Sequence, residues 1–316
     1  MKEILILLFL ILVGNFPLYA DENPAPIPDG LYEEFYDTGE LKRLVNYRNG
    51  QPNGPFNVYH KNKTLIGEGL YVDGVMQNVA RGYYLNGSPK IELKYKDGII
   101  DGLVKTFSED GKLVSEADYK NGQLDGETVE YQPNGFPLYT REYKDGVENG
   151  LAREYSTEGN MIREANFVNG EQTGLIREFD TMGSLIKSYE AKKGVPDGLT
   201  KEYYSSGELK SEKILTNGDM LNTDIIEYFP SGTLKQKMKI VDGRREGIYQ
   251  EFFENGALKT VGQFMNNQRE GNFKMYNSTG DLLSEINYKN GSKASSKIYD
   301  KEGKLISDAP DSTQSP

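Results

Sequence analysis

Cysteine and tryptophan are missing from this 316-residue chain, and histidine occurs once. The missing cysteine excludes disulfides, thiol catalysis, thiolate zinc sites and a lipidated N-terminal cysteine. The lone imidazole, His60, has no Cys partner and no local carboxylate cluster, so it reads as a surface residue at a strand end. No P-loop, G-x-S-x-G elbow or metal-binding helix motif occurs. Asp-Gly pairs such as Asp97-Gly98 and Asp101-Gly102 lack the calcium-repeat rhythm and the EF-hand spacing. Carboxylates are plentiful, but nothing in the pattern builds a pocket around a chosen pair. The reading is non-enzymatic, with no catalytic residue, no metal ligand and no cofactor.

Apolar residues and positive charge are also scarce. Hydrophobic content is 36%, low for a chain of this length, and the formal net charge is −11. A negative field disfavours nucleic acid and anionic membrane as partners. What is abundant is tyrosine, phenylalanine and glycine: 22, 13 and 35 residues. Apolar material gathered into a few aromatic positions with glycine punctuation suits a thin β-sheet better than a thick core.

The aromatics and glycines recur every 24 residues, as in GLVKTFSEDGKLVSEADYKNGQLD (102–125) above GETVEYQPNGFPLYTREYKDGVEN (126–149). With the first Gly of each unit as position 1, position 6 is Phe35, Tyr59, Tyr83, Phe107, Tyr131, Tyr155, Phe179, Tyr203, Tyr228, Phe252, Tyr276 and Tyr299, aromatic in twelve of twelve. Position 10 is Gly in eleven of twelve, Lys63 being the exception, and position 18 is aromatic in eight of eleven. Position 21 is Gly in ten of eleven, usually preceded by Asn or Asp. Asn-Gly and Asp-Gly tolerate the positive φ of tight hairpins. The predicted fold is all-β: an elongated, open-ended antiparallel meander of about twelve hairpins over 30–306, a single-layer twisted sheet of about 23 strands. Alternation along a strand gives each recurring aromatic one face, where the rings are expected to stack and be buried. Gly at position 1 is expected where the chain enters the next hairpin.

The ends read differently. Met1–Ala20 has Lys2, an apolar run from Ile4 to Val13, breakers Gly14 and Pro17, and a small residue before Asp21. The run is short for a membrane span, so a signal peptide cleaved after Ala20 is expected, leaving a secreted or periplasmic protein without stable membrane insertion. Residues 21–29 read as a Pro-rich extended leader and 307–316 as a disordered polar tail.

The elements Gly102, Phe107, Gly111, Tyr119 and Gly122 resemble the MORN repeat, and in detail its bacterial variant in the YwqK-type antitoxin family. That resemblance implies a protein-binding or toxin-neutralising role, a scaffold or immunity-like binder of an unidentified partner, an acidic protein or a toxin.

Two rows and one cluster are candidates for binding. Position 5 is Glu in seven repeats, and position 4 is often basic (Arg81, Lys105, Arg153, Arg177, Lys201), so one face carries a Glu row and the other a basic-plus-aromatic row. They are either a solvated ladder, which needs opposite charges on the intervening strands, or a charge-coded binding face. The aromatic row is either structural stacking or a platform for envelope polysaccharide. Near a one-residue insertion at Asp219–Asn222, Lys235, Lys237 and Lys239 alternate along a strand, followed by Arg244 and Arg245. This basic patch in an acidic chain is either edge protection or the partner site.

Overall fold

A computed structural model describes residues 27–309. The expected signal peptide (1–20), residues 21–26 of the expected Pro-rich leader and residues 310–316 of the expected tail lie outside the described residues. The described residues are all-β: 26 strands and no helix, joined in chain order as an antiparallel meander. They fall into two compact units, one up to Gly159 and one from Asn160 on. The strand count exceeds the expectation for a local reason. A bulge splits two strands into Ile99–Ile100 with Gly102–Phe107, and Arg244–Arg245 with Gly247–Phe252. The last strand, Leu305–Ala309, also carries the array three residues past its expected end at 306.

A typical repeat pairs Leu113–Lys120 with Gln123–Tyr131. Asn121 and Gly122 between them have φ of 48° and 81°, a type I′ turn whose twist matches the strands. The other turn is longer. Gly111 donates its N–H to the Ser108 carbonyl and Ser108 donates to Lys112, so the glycine of position 10 closes a three-residue loop as an αL bulge. The position 1 glycine lies inside a strand in most repeats, and begins one at Gly30, Gly102 and Gly247. Gly126 has φ of 124°, open only to glycine, and the register slips between Leu124 and Thr128.

Every repeat therefore presents positions 3, 14, 16 and 18 on one face and positions 4, 6, 15 and 17 on the other. Burial follows that division. In the first unit the core comprises Val45, Tyr47, Phe56, Tyr71, Ala80, Ile91, Leu93, Tyr95 and Val104, all from the first set of positions, with Val58 and Ile100 beside them. Large and small side chains alternate: Leu93 (0% exposed) lies in register with Ala80. In the second unit Ala165, Ile176, Tyr189 and Ala191 form a smaller cluster. Further on, Tyr249, Phe264, Phe273 and Tyr288 make successive edge-to-face contacts at 5.7, 5.7 and 5.3 Å, alternating positions 3 and 18. The buried rings are thus those of positions 3 and 18, with Tyr189 at position 16. The twelve position 6 aromatics are on the opposite face: Phe35 is exposed and the other eleven are half-buried. Expecting them in the core overlooked that the most regular aromatic in a repeat need not be the most buried one.

The hairpin tips stitch neighbouring repeats together. The turn glycine donates its N–H to a carbonyl of the preceding hairpin, as in Gly122 to Ile100 and Gly146 to Leu124. Beside it, Asp101 and Asp125 accept the backbone N–H of Asn121 and Asp145 at 3.3 Å. At the other tip, Tyr84 Oη donates to the Phe107 carbonyl (2.8 Å) and Asn86 Nδ2 to that of Glu109 (3.0 Å). Backbone groups at sheet margins, otherwise left to water, thereby find partners.

Candidate binding faces

The charged face is built from cross-strand pairs. Position 4 pairs in register with position 15 of its own repeat and of the preceding one: Arg81 stands between Glu68 and Glu92, and Glu116 between Lys105 and Val129. Each basic position 4 residue has an acidic position 15 on at least one side, although Thr140, Ser188 and Val261 are uncharged partners of Arg153, of Arg177 and Lys201, and of Lys274. Arg81 bonds Glu92 at 2.8 Å and approaches Glu68 at 3.5 Å; Lys105–Glu116, Arg177–Glu164 and Lys274–Glu285 close at 2.7, 2.7 and 3.1 Å. Opposite charges do stand on the intervening strands, so most of this row satisfies itself. Each pair is largely solvent-facing and stabilises the sheet little, roughly 0–1 kcal/mol; its larger effect is to favour the observed register, which a slip would unpair.

The position 6 phenols complete the ladder. Tyr83, Tyr131, Tyr228 and Tyr299 donate their hydroxyls to Glu68, Glu116, Glu212 and Glu285 at 2.6, 2.8, 3.0 and 3.0 Å. The Lys105 hydrogen bond, and then the Tyr131 hydroxyl, hold the Glu116 carboxyl below its ordinary range against some opposing desolvation. Desolvation, with the neighbouring Glu116, pushes the Tyr131 phenol up to about 12.

On the apolar face the Glu row at position 5 is also engaged. Glu34 bonds Lys42 and Arg43, Glu202 meets Lys213 at 3.3 Å and Glu251 meets Lys259 at 2.7 Å.

The basic patch does not assemble as spacing alone suggests. The strand Leu234–Val241 carries all three lysines, but its register slips opposite Glu227 and Tyr228. Lys237 lies in register with Ile226 and reaches Asp224 at 3.3 Å. Lys235, beside the bulge, reaches Glu227 at 3.8 Å. Glu227 and Ile226 are adjacent and face opposite sides, so the bulge turns Lys235 away from Lys237. Arg245 lies over the Phe264 ring at 5.5 Å, on the apolar face, and Arg244 reaches Asn266 at 3.3 Å along the turn margin. Lys237 and Lys239 alone remain together, both exposed on the charged face.

Around them the ladder is interrupted. Ile226, Lys237, Gln250 and Val261 occupy positions that alternate basic and acidic in most other repeats, the shorter uncharged breaks being Leu44–Asn57 and Val129–Thr140. At the insertion, Leu209–Leu215 and Thr223–Tyr228 share only the pairs Ser211–Glu227 and Glu212–Ile226 before separating. A shallow cavity of about 540 Å³ opens there, lined by Leu199, Ile214, Ile226, Glu212, Asp224 and Lys239 among others. The sequence signal for this break was present in position 15 itself, a row that attention to glycines and aromatics passes over. His60 accepts the Asn62 amide at 3.3 Å in its turn. Among the described residues no group of three or more His, Cys, Asp or Glu side chains is placed to hold a metal.

Six segments, residues 28–49, 100–121, 148–169, 196–217, 245–266 and 269–290, match the family model described as MORN repeat variant. Each falls on the hairpin frame above, so in these segments the chain is similar to MORN-variant repeats. No curated protein matches the chain. Among solved structures, the crystal structure of TcdB2-TccC3 is similar over 89% of this chain at 14% identity and a TM-score of 0.20. That of TcdB2-TccC3-Cdc42 is similar over 89% at 14% identity and a TM-score of 0.18. This chain spans about 18% of each of those chains, and likeness at such TM-scores carries no argument.

Proposed function

We propose that this protein is a non-enzymatic binding scaffold exported to the cell envelope, engaging a protein partner on its charged face in the manner of an immunity or antitoxin-like protein. The observation that carries this reading is the interrupted charge ladder. Most repeats neutralise their own charges across the strands, leaving little for a partner to read. Between Ile226 and Val261 the alternation lapses, as it also does at Leu44–Asn57 and Val129–Thr140, but here a lysine of that face, Lys239, lines an open, partly apolar cleft, with Lys237 two residues away and turned to Asp224. An acidic partner would be steered to such a spot, with salt weakening the attraction. The test is quantitative capture by the chain from envelope extract, comparing the wild type with Lys237→Glu/Lys239→Glu and with Lys235→Glu. The double variant is expected to lose capture at low salt while Lys235→Glu keeps it. Unchanged capture by a folded double variant overturns the site. Export is tested separately: the mature N-terminus is expected at Asp21, and deletion of residues 2–20 is expected to hold the protein in the cytoplasm.

A further inference from the structure

At the two ends of the described array stand strands paired on one side only: Gly30–Phe35, with Leu41–Arg48, and Leu305–Ala309, with Ser292–Tyr299. They are matched in kind. The array opens on the strand that carries positions 1–6 and closes on the strand that begins at position 12. A second copy's Gly30–Phe35 is therefore the element that would follow Leu305–Ala309 if the meander continued. The register of that junction can be read from the interior, where Ser115, Glu116 and Ala117 pair with Glu130, Val129 and Thr128. By the same register Ser307, Asp308 and Ala309 would face Glu34, Glu33 and Tyr32 of the incoming copy. Apolar side chains at both margins favour joining: Leu31 is 59% and Phe35 51% exposed, Leu305 43% and Ile306 62%. Open edges of this sort invite strand addition.

The charges at the junction oppose it. Position 4 is Arg or Lys in seven repeats and acidic only at Glu33. Position 15 at the closing edge is Asp308, already in register with Lys297 on its inner side. An interior acid at position 15 such as Glu92 has a cation in register on both sides, Arg81 and Lys105; Asp308 would meet a carboxylate instead. We propose that Glu33 and Asp308 act together as a like-charge block that keeps copies of this chain from adding head to tail. A heterologous contact of this kind would otherwise build closed rings or open filaments.

The test is sedimentation velocity of the full chain over a wide concentration range. Glu33→Lys sets a cation against Asp308, and Asp308→Lys sets one against Glu33. Replacing a like pair by an opposite pair across strands is expected to lower the concentration for association about tenfold. The double variant Glu33→Lys/Asp308→Lys restores like charge and is expected to return to wild-type behaviour, which separates the pair from any effect of net charge. Circular dichroism confirms that each exposed-site variant retains its sheet. Association of the wild type equal to that of Glu33→Lys, no association by either single variant, or association of the double variant equal to that of the singles would each overturn the proposal.

Discussion

Gly262 gives the sharpest test of how the apolar face is packed. It occupies position 16, where other repeats carry Leu93 or Ala117, and its backbone is not in the positive-φ region, so only space forbids a side chain. A Cβ there would lie 2.5 Å from Cε1 and Cγ of Phe273 and closer still to Cδ1, against an ordinary carbon contact of about 3.5–4.0 Å. Phe273 cannot simply withdraw. It is 2% exposed and holds edge-to-face contacts with Phe264 and Tyr288. Overpacking of this kind costs about 1–3 kcal/mol, while reducing the freedom of the unfolded chain returns about 0.4–1 kcal/mol. Gly262→Ala is therefore expected to destabilise by about 1–2 kcal/mol, read as a lower urea midpoint for the transition of the second unit. In a Phe273→Ala background the ring is gone and the same substitution is expected to become neutral or stabilising. A destabilisation that persists without the ring would refute the steric reasoning and point to the backbone.

Other positions make independent demands on the same account. Leu93→Ala, at the centre of the first core, is expected to cost about 2–5 kcal/mol, and Phe107→Ala clearly less because its ring is only half-buried on the charged face; equal losses in denaturant titration would contradict the division of faces. Lys63 holds φ of 72° where eleven other repeats have glycine, so Lys63→Gly is expected to raise stability by about 1 kcal/mol, with no change or a loss counting against strain there. The lowered Glu116 pKa contributes stability that is present above the unfolded-state value and lost as pH falls through the folded one. Lys105→Met is expected to move the Glu116 titration upward by carboxylate NMR, and Tyr131→Phe to move it less; no movement in either would remove the ladder as the cause.

The hairpin array was legible in the sequence because turn chemistry is local. Asn121-Gly122 announces a type I′ turn whatever surrounds it, and repetition of such dipeptides sets the period. The expectation of one Glu row and one basic-plus-aromatic row also held, since strand alternation is a local rule. Burial was less legible. Tyr131 and Tyr95 look alike in sequence, yet one donates its hydroxyl to Glu116 on the charged face and the other is buried among Ile91 and Leu93 on the apolar one. Which face closes depends on the sum of positions 3, 14, 16 and 18, none of them invariant. The basic cluster failed for a related reason. Spacing of two places Lys235 with Lys237 only in an unbroken strand, and the bulge opposite Tyr228 breaks it.

The central claim is that each repeat is held by its neighbours through the paired faces and the stitched tips, so that stability is local. Segment-resolved native-state hydrogen exchange on Leu93→Ala tests it most directly. Protection is expected to fall in the strands around the lesion, Val75–Tyr83, Pro89–Lys96 and Gly102–Phe107, and to remain at wild-type levels in the second unit. A uniform loss of protection across both units would contradict it.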